Sequence, residues 1–341
     1  MSRGARQCLG AALLWLLVVG IATPATADDI DAVTAVALTV SDLDAAQRFY
    51  GEVLDFKTVD ERELSGVPYE RLYGVFGLRL RSLRMRLGAE EIELQQFLTA
   101  GGRPIPADMR SNDLAFQHIA IIVADMATAY ARLREHHVHY GSSEPQRLPD
   151  WNPNAGGIEA FYFRDPDGHY LEILHFPSGK GAARWQQADG HLFLGIDHTA
   201  IVVADTDRSL AFYRDTLGLK VAGTSENWGT EQEHLNNVFG AHLRITALRA
   251  AVGPGIELLQ YLAPQGGRPS PADTRANDLW HWHVVMQGAD VNRLDARLLQ
   301  ARYLPVSSDL VNLPASRARM YRDADGHAIM VQQAILQPTP P

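Results

Sequence analysis

The chain has 341 residues, with 31 Lys+Arg against 40 Asp+Glu for a net charge of -9, ordinary apolar content and one cysteine. A length of this order suits two domains, and the absence of a basic stripe argues against nucleic acid as a partner. The lone Cys8 excludes a disulfide framework and a cysteine-ligated zinc site.

The chain opens with the pattern of an export signal. Arg3 and Arg6 precede an apolar run over residues 9–21, and Ala25-Thr26-Ala27 forms a small-x-small cleavage site before Asp28 and Asp29. The run is shorter than the ~20 residues of a membrane span. The expectation is a leader over 1–27 and a periplasmic or secreted mature protein without membrane attachment and without a thiol.

Residues 33–40 are apolar and β-branched and predict a strand. Asp42 and Asp44 offer an N-cap, and 45–54 has helical spacing with Phe49, Tyr50, Val53 and Leu54 on one side. Strands are predicted at 56–59, 78–87 and 91–98, making a βαβββ module. A second module follows: a strand at 117–123, a helix from Asp125 to about His136, a short strand at 139–142, and a hairpin of 158–164 with 169–176 around Asp165-Pro166-Asp167-Gly168. The stretch 177–192 is rich in Gly, Ala and Gln and reads as a linker.

The pattern then repeats. GGRPIPADMRSND at 101–113 returns as GGRPSPADTRAND at 266–278, an offset of 165. VSDLDAAQRFY (40–50) matches VADTDRSLAFY (203–213), IELQQFL (92–98) matches IELLQYL (256–262), and RDPDGH (164–169) matches RDADGH (322–327). A period this long is a duplicated domain rather than a solenoid turn. The expected organisation is a domain over 28–180 (modules 28–100 and 114–177), a linker at 181–192, a domain over 193–336 (modules 193–264 and 279–336) and a loose tail at 337–341. The Gly-Gly-Arg-Pro and Arg-x-Asn-Asp segments read as structural crossings between modules.

Four βαβββ modules, the opening Ile-Asp-His-Thr-Ala-Ile-Val-Val-Ala-Asp of 196–205, the Phe-Tyr helix ends, the Ile-Glu-Leu strand and Asp-Pro-Asp-Gly-His-x-x-Glu at 165–172 resemble the vicinal oxygen chelate superfamily. This group contains glyoxalases, bleomycin-resistance proteins and extradiol dioxygenases. The resemblance implies an α+β fold in which modules pair into cup-shaped mixed sheets. It also implies one divalent metal ion in a cup, held by a His from a module's first strand and a Glu from its last.

Carried over module by module, those places hold Ala35 and Glu93, His118 and Glu172, His198 and Glu257, and His283 and Met330. If the second and third modules share a cup, His118, Glu172, His198 and Glu257 form a His₂Glu₂ set, leaving Ala35 and Met330 in the other. If each half forms its own cup, the first has Glu93, His118 and Glu172, and the second has His198, Glu257 and His283, which suits non-haem iron(II). The crossing at 98–116 is long enough to return the chain to its own half. In Trp280-His281-Trp282-His283, strand alternation places the two histidines on one face, and the region around Trp228 and 233–237 is expected at the pocket rim.

The resemblance implies three functions. One is a glyoxalase- or epimerase-like proton transfer on a small molecule with adjacent oxygens, with Glu172 or Glu257 moving the proton. The second is an Fe(II) extradiol-type dioxygenase, although Met330 stands where that group carries its carboxylate. The third is a metal-free drug-sequestering protein. The implied partner is a small molecule, and the chain is a monomer or homodimer.

Overall fold

The structure, a computed structural model, describes residues 30–99 and 101–335; the leader with Cys8 and the tail 337–341 lie outside the described residues. The first module runs β1 (Ile30–Thr39), α1 (Leu43–Arg48, continued as a π-turn over Phe49–Val53), β2 (Lys57–Ser65), α2 (Val67–Tyr73), β3 (Arg79–Leu87) and β4 (Glu90–Phe97). The second runs β5 (Phe116–Val123), α3 (Met126–Glu135), β6 (His139–Tyr140), β7 (Gln146–Arg147), β8 (Glu159–Arg164) and β9 (Tyr170–His175). The third runs β10 (Phe193–Val202), α4 (Thr206–Leu210, continued by a π-turn), β11 (Lys220–Trp228), α5 (Thr230–Asn236), β12 (His242–Arg249) and β13 (Gly255–Ala263). The fourth runs β14 (Trp282–Gly288), α6 (Val291–Gln300), β15 (Leu304–Pro305), β16 (Val311–Asn312), β17 (Ser316–Arg322) and β18 (Ala328–Ala334).

The same local device starts the first long helix of every module. Asp42, Asp125, Asp205 and Asp290 precede α1, α3, α4 and α6 and accept the amides of Ala45, Thr128, Arg208 and Arg293 at 2.7–3.1 Å. Each cap contributes about 1 kcal/mol. The predicted strand over Trp280–His283 is shorter than expected, because His281 closes a turn onto the Asp278 carbonyl at 2.9 Å. Trp280 therefore leaves the sheet face and lies under the Arg103 guanidinium, 4.6 Å away.

Two nine-stranded sheets form, each curled into a cup. One has the order β15-β17-β18-β14-β1-β4-β3-β2, with β16 also pairing β17, and the other β11-β12-β13-β10-β5-β9-β8-β6, with β7 also pairing β8. Modules one and four thus share one sheet, modules two and three the other. The antiparallel seams are β1 on β14 and β5 on β10. The 98–116 crossing does not return the chain to its own half. It leaves one sheet for the other and locks against its repeat. Leu114 N–H donates to the Arg268 carbonyl at 2.8 Å, and Leu279 N–H to the Arg103 carbonyl at 2.9 Å. Arg103 forks onto Asp278 and Arg268 onto Asp113, each with a closest contact of 2.7 Å. Glycine is required inside these straps. A Cβ on Gly102 would stand 1.8 Å from the Asn277 carbonyl oxygen, and one on Gly267 would stand 1.7 Å from that of Asn112.

Strand alternation then divides each central strand between two environments. Ile119, Ile121 and Val123 of β5 enter an apolar core that also takes Val36, Leu38 and Met286 from the other sheet. His118, from the opposite face, points into the cup.

Candidate metal centre

Register across the seam of modules two and three builds the floor of one cup. Ala200 on β10 lies opposite His118 on β5 and Glu257 on β13. Ala120 on β5 lies opposite His198 on β10 and Glu172 on β9. Two rows, His118–Ala200–Glu257 and His198–Ala120–Glu172, therefore run across the floor in opposite directions. The alanine at the centre of each row leaves room for the longer side chains to converge. They line a cavity of about 320 Å³.

The two imidazole Nε2 atoms are 3.2 Å apart. Glu172 Oε2 lies 3.1 Å from His118 Nε2 and 3.9 Å from His198 Nε2. Glu257 Oε2 lies 3.3 Å from His198 Nε2. His118, Glu172 and His198 are all buried, with their donor atoms within 4.8 Å of one another. Glu257 stands at the edge of this group and is the most exposed of the four, its side chain 22% accessible.

The remaining imidazole nitrogens are held from behind. His118 Nδ1 meets Gln117 Oε1. His198 Nδ1 lies 2.9 Å from Asp197 Oδ2. Asp197 is itself gripped by Arg249 Nη2 at 2.7 Å and Trp185 Nε1 at 3.0 Å. An acceptor at Nδ1 selects the tautomer whose Nε2 lone pair faces the cup, the usual support of a ligating histidine. Sequence reasoning missed Gln117 and Asp197. Their signal was a polar residue immediately before the histidine in two otherwise apolar strands.

These residues fit a divalent ion. Oxygen and nitrogen donors ~2.0–2.2 Å from one cation sit roughly 3–3.5 Å from each other; three of the separations here, 3.1, 3.2 and 3.3 Å, fall in that range, and Glu172 to His198 is wider at 3.9 Å. Glu172 Oε2 is buried and receives no hydrogen bond, a costly state for a carboxylate oxygen without a cation. Burial alone would lower the His198 pKa, but Glu257, Asp197 and Glu172 outweigh it and hold it up to about 9. Burial raises the Asp197 pKa, yet the donors from His198 and Arg249 keep it well below the usual carboxylate range. A metal held through His198 Nε2 would have to displace the proton there. Metal affinity should therefore climb by about tenfold per pH unit as pH rises toward 9 and level off above it. Titration against a competing chelator at fixed pH steps checks this; a flat profile from pH 6 to 9 would contradict the assignment.

The cup also carries Tyr162, whose ring centre lies 4.9 Å from that of His118. Burial, then Glu172, raises its phenol pKa well above the ordinary value, so it is a neutral hydroxyl. From α5, Gln232 and Leu235 line the cavity as expected of that region. Trp228, by contrast, has its ring centre 4.1 Å from that of Trp151, the planes tilted by 35°, and is not part of the lining.

Glu93 and His283 do not reach this centre. In the other sheet, Ala37 lies between His283 and Glu93, and the second row reads Ala35, Val285, Met330. Half of the donor set is thus replaced by apolar side chains. The set His198, Glu257 and His283 is not assembled at one point, because β14 belongs to the sheet of modules one and four. Glu93 accepts from Ser82 Oγ at 2.6 Å and Gln95 Nε2 at 2.7 Å. Tyr73, at the end of α2 where α5 ends in Asn236, covers His283 with an edge-on ring at 6.0 Å. Burial lowers the His283 pKa to about 4 against the pull of Glu93, so this imidazole is neutral.

Comparison with known proteins agrees with the cups. Over 89% of this chain and 92% of the other, the fold matches glyoxalase I from Zea mays, with a TM-score of 0.57 and 15% identity. It matches a putative dioxygenase from Bacillus subtilis over 90% and 86%, with a TM-score of 0.56 and 16% identity. In sequence, 150 residues are 29% identical to the virulence protein STM3117 of Salmonella typhimurium, covering 43% of this chain and 85% of that protein. The model of the Glyoxalase/Bleomycin resistance protein/Dioxygenase superfamily matches twice, over 32–173 and 195–331. With both repeats matched across most of its length, the chain is a member of that superfamily.

Proposed function

We propose that this protein is an exported enzyme that binds one divalent metal ion and moves a proton on a small molecule with two adjacent oxygens, in the manner of glyoxalases and epimerases. The observation that carries this reading is the convergence of His118, Glu172, His198 and Glu257 on one cup floor, with both Nδ1 atoms anchored from behind. When bound, the ion supplies Lewis acidity toward the adjacent oxygens, stabilising negative charge that develops there.

The chain's own groups divide the remaining work. His118, His198 and Glu172 are the buried holders. Glu257, more exposed and at the edge of the trio, is placed to take a proton from a substrate carbon and return it. The apolar walls Ile158, Leu174, Ile245 and Leu259 lower the local dielectric, which strengthens charge interactions in the cup. Export rests on the N-terminal pattern of Arg3, Arg6, the 9–21 run and Ala25-Thr26-Ala27.

A second reading has one specific support. The tight trio His118, His198 and Glu172 is itself a two-histidine, one-carboxylate set of the kind that holds non-haem iron(II). The two chemistries part in a single assay. In heavy water, the metal-loaded protein should exchange the carbon-bound hydrogen of hydroxyketones, and Glu257→Gln should lower that rate by roughly 10²–10⁴-fold, the usual weight of a general base. Oxygen uptake with yellow ring-cleavage products from catechols, without hydrogen exchange, would instead establish the dioxygenase.

A further inference from the structure

The two cups differ in charge as well as in donors. Facing Glu93 and Gln95 on β4, the wall strand β3 carries Arg84 and Ser82. At the same register in the complete cup, facing Glu257 and Leu259 on β13, β12 carries Ala247 and Ile245. Arg62 also lines the incomplete cup. The complete cup, among the described residues, has no lysine or arginine in its lining. Its walls are Ile158, Leu174, Ile245 and Leu259, and its neutral polar groups include Asn227 and Gln232. Arg249, two residues along β12 from Ala247, donates Nη2 to the Asp197 carboxylate at 2.7 Å and Nη1 to the Asp197 backbone carbonyl at 2.8 Å.

Charge balance then restricts the occupant. A dication is offset by Glu172 and Glu257, and Asp197 by Arg249. When bound, the ion would offset negative charge on the ligand's two adjacent oxygens. A further carboxylate or phosphate elsewhere on the ligand would be desolvated against aliphatic walls with no cation to meet it, which is strongly unfavourable.

Resting on the proposed metal-centred function, we propose that the complete cup selects an uncharged, largely apolar molecule with vicinal oxygens, and that Ala247 is the position that sets this selection. The residue acts by what it lacks. The counterpart cup shows that a guanidinium fits at the same register, where Arg84 pairs with Glu91 at 2.5 Å and keeps a buried Nε without a partner.

The test is a pair of chelators, methyl 3,4-dihydroxybenzoate and 3,4-dihydroxybenzoate, which differ in one charge and little in size; because the ester withdraws electrons more strongly, their affinities for free zinc are measured alongside and divided out. Binding is measured by calorimetry to the full chain loaded with zinc, after elemental analysis of the same preparation. The ester should bind about a hundredfold more tightly than the acid, the scale expected for a buried charge left unpaired. Ala247→Arg should shrink that ratio by at least about tenfold, recovering one paired charge. Ile245→Arg is the alternative should Ala247→Arg fail to fold. Equal binding of acid and ester by the native protein, or binding of neither, would overturn the charge selection while leaving the metal centre in place. A preparation that holds no metal even after supplementation would overturn the metal-centred function itself.

Discussion

Replacing His118 by alanine should strip the protein of its metal, while His283→Ala should leave the stoichiometry at about one ion per chain. The difference follows from position rather than from residue type. His118 Nε2 meets His198 and Glu172 at 3.2 and 3.1 Å, whereas His283 lies under Tyr73 with Ala35 and Met330 in the partner row. Loss of an outer partner of a ligand alone weakens metal binding by roughly 10–100-fold, so loss of the ligand itself should exceed that. Elemental analysis of the purified variants, with circular dichroism to confirm folding, reads the outcome. Retention of metal by His118→Ala together with its loss from His283→Ala would relocate the centre to the cup of modules one and four.

Gly267→Ala should be among the most damaging small substitutions at the described residues. Its Cβ would fall 1.7 Å from the Asn112 carbonyl oxygen, a backbone atom in the opposite strap that cannot rotate away. The strap must move as a unit, breaking the Arg268–Asp113 fork and the Leu114–Arg268 backbone bond that tie the halves together. A cost of about 3 kcal/mol is at the upper end of overpacking effects, equivalent to a fall in Tm of roughly 5 °C in a protein of this size. Gly101→Ala is the control, since nothing lies within 4 Å of a Cβ there, and its Tm should stay within about a degree. Equal melting of the two variants would show that the straps do not hold the halves.

Much of the site was legible in the chain because repeats expose matched positions. The caps read at Asp42 and Asp125 and the Asp-x-Asp-Gly turns are local features, whereas the matching caps at Asp205 and Asp290 were not read. Local features depend on residues within a few positions of one another, and they appear where the sequence places them. The His₂Glu₂ alternative was also written there as one of two possible groupings. Gln117 and Asp197 went unremarked because a polar residue before a histidine acquires meaning only when its side chain is seen to meet Nδ1.

By itself, then, the sequence determined the family, the βαβββ modules and the chemical identity of the donors. Tertiary structure alone decided which modules share a sheet, and with it which donors meet. The physical reason is that the first strands of all four modules are similar apolar edges, so local pattern does not distinguish their partners. The choice is made by contacts far apart in the chain, such as Arg103 with Asp278 and Arg268 with Asp113, and by the seam registers that set Ala200 beside His118 and Ala120 beside His198.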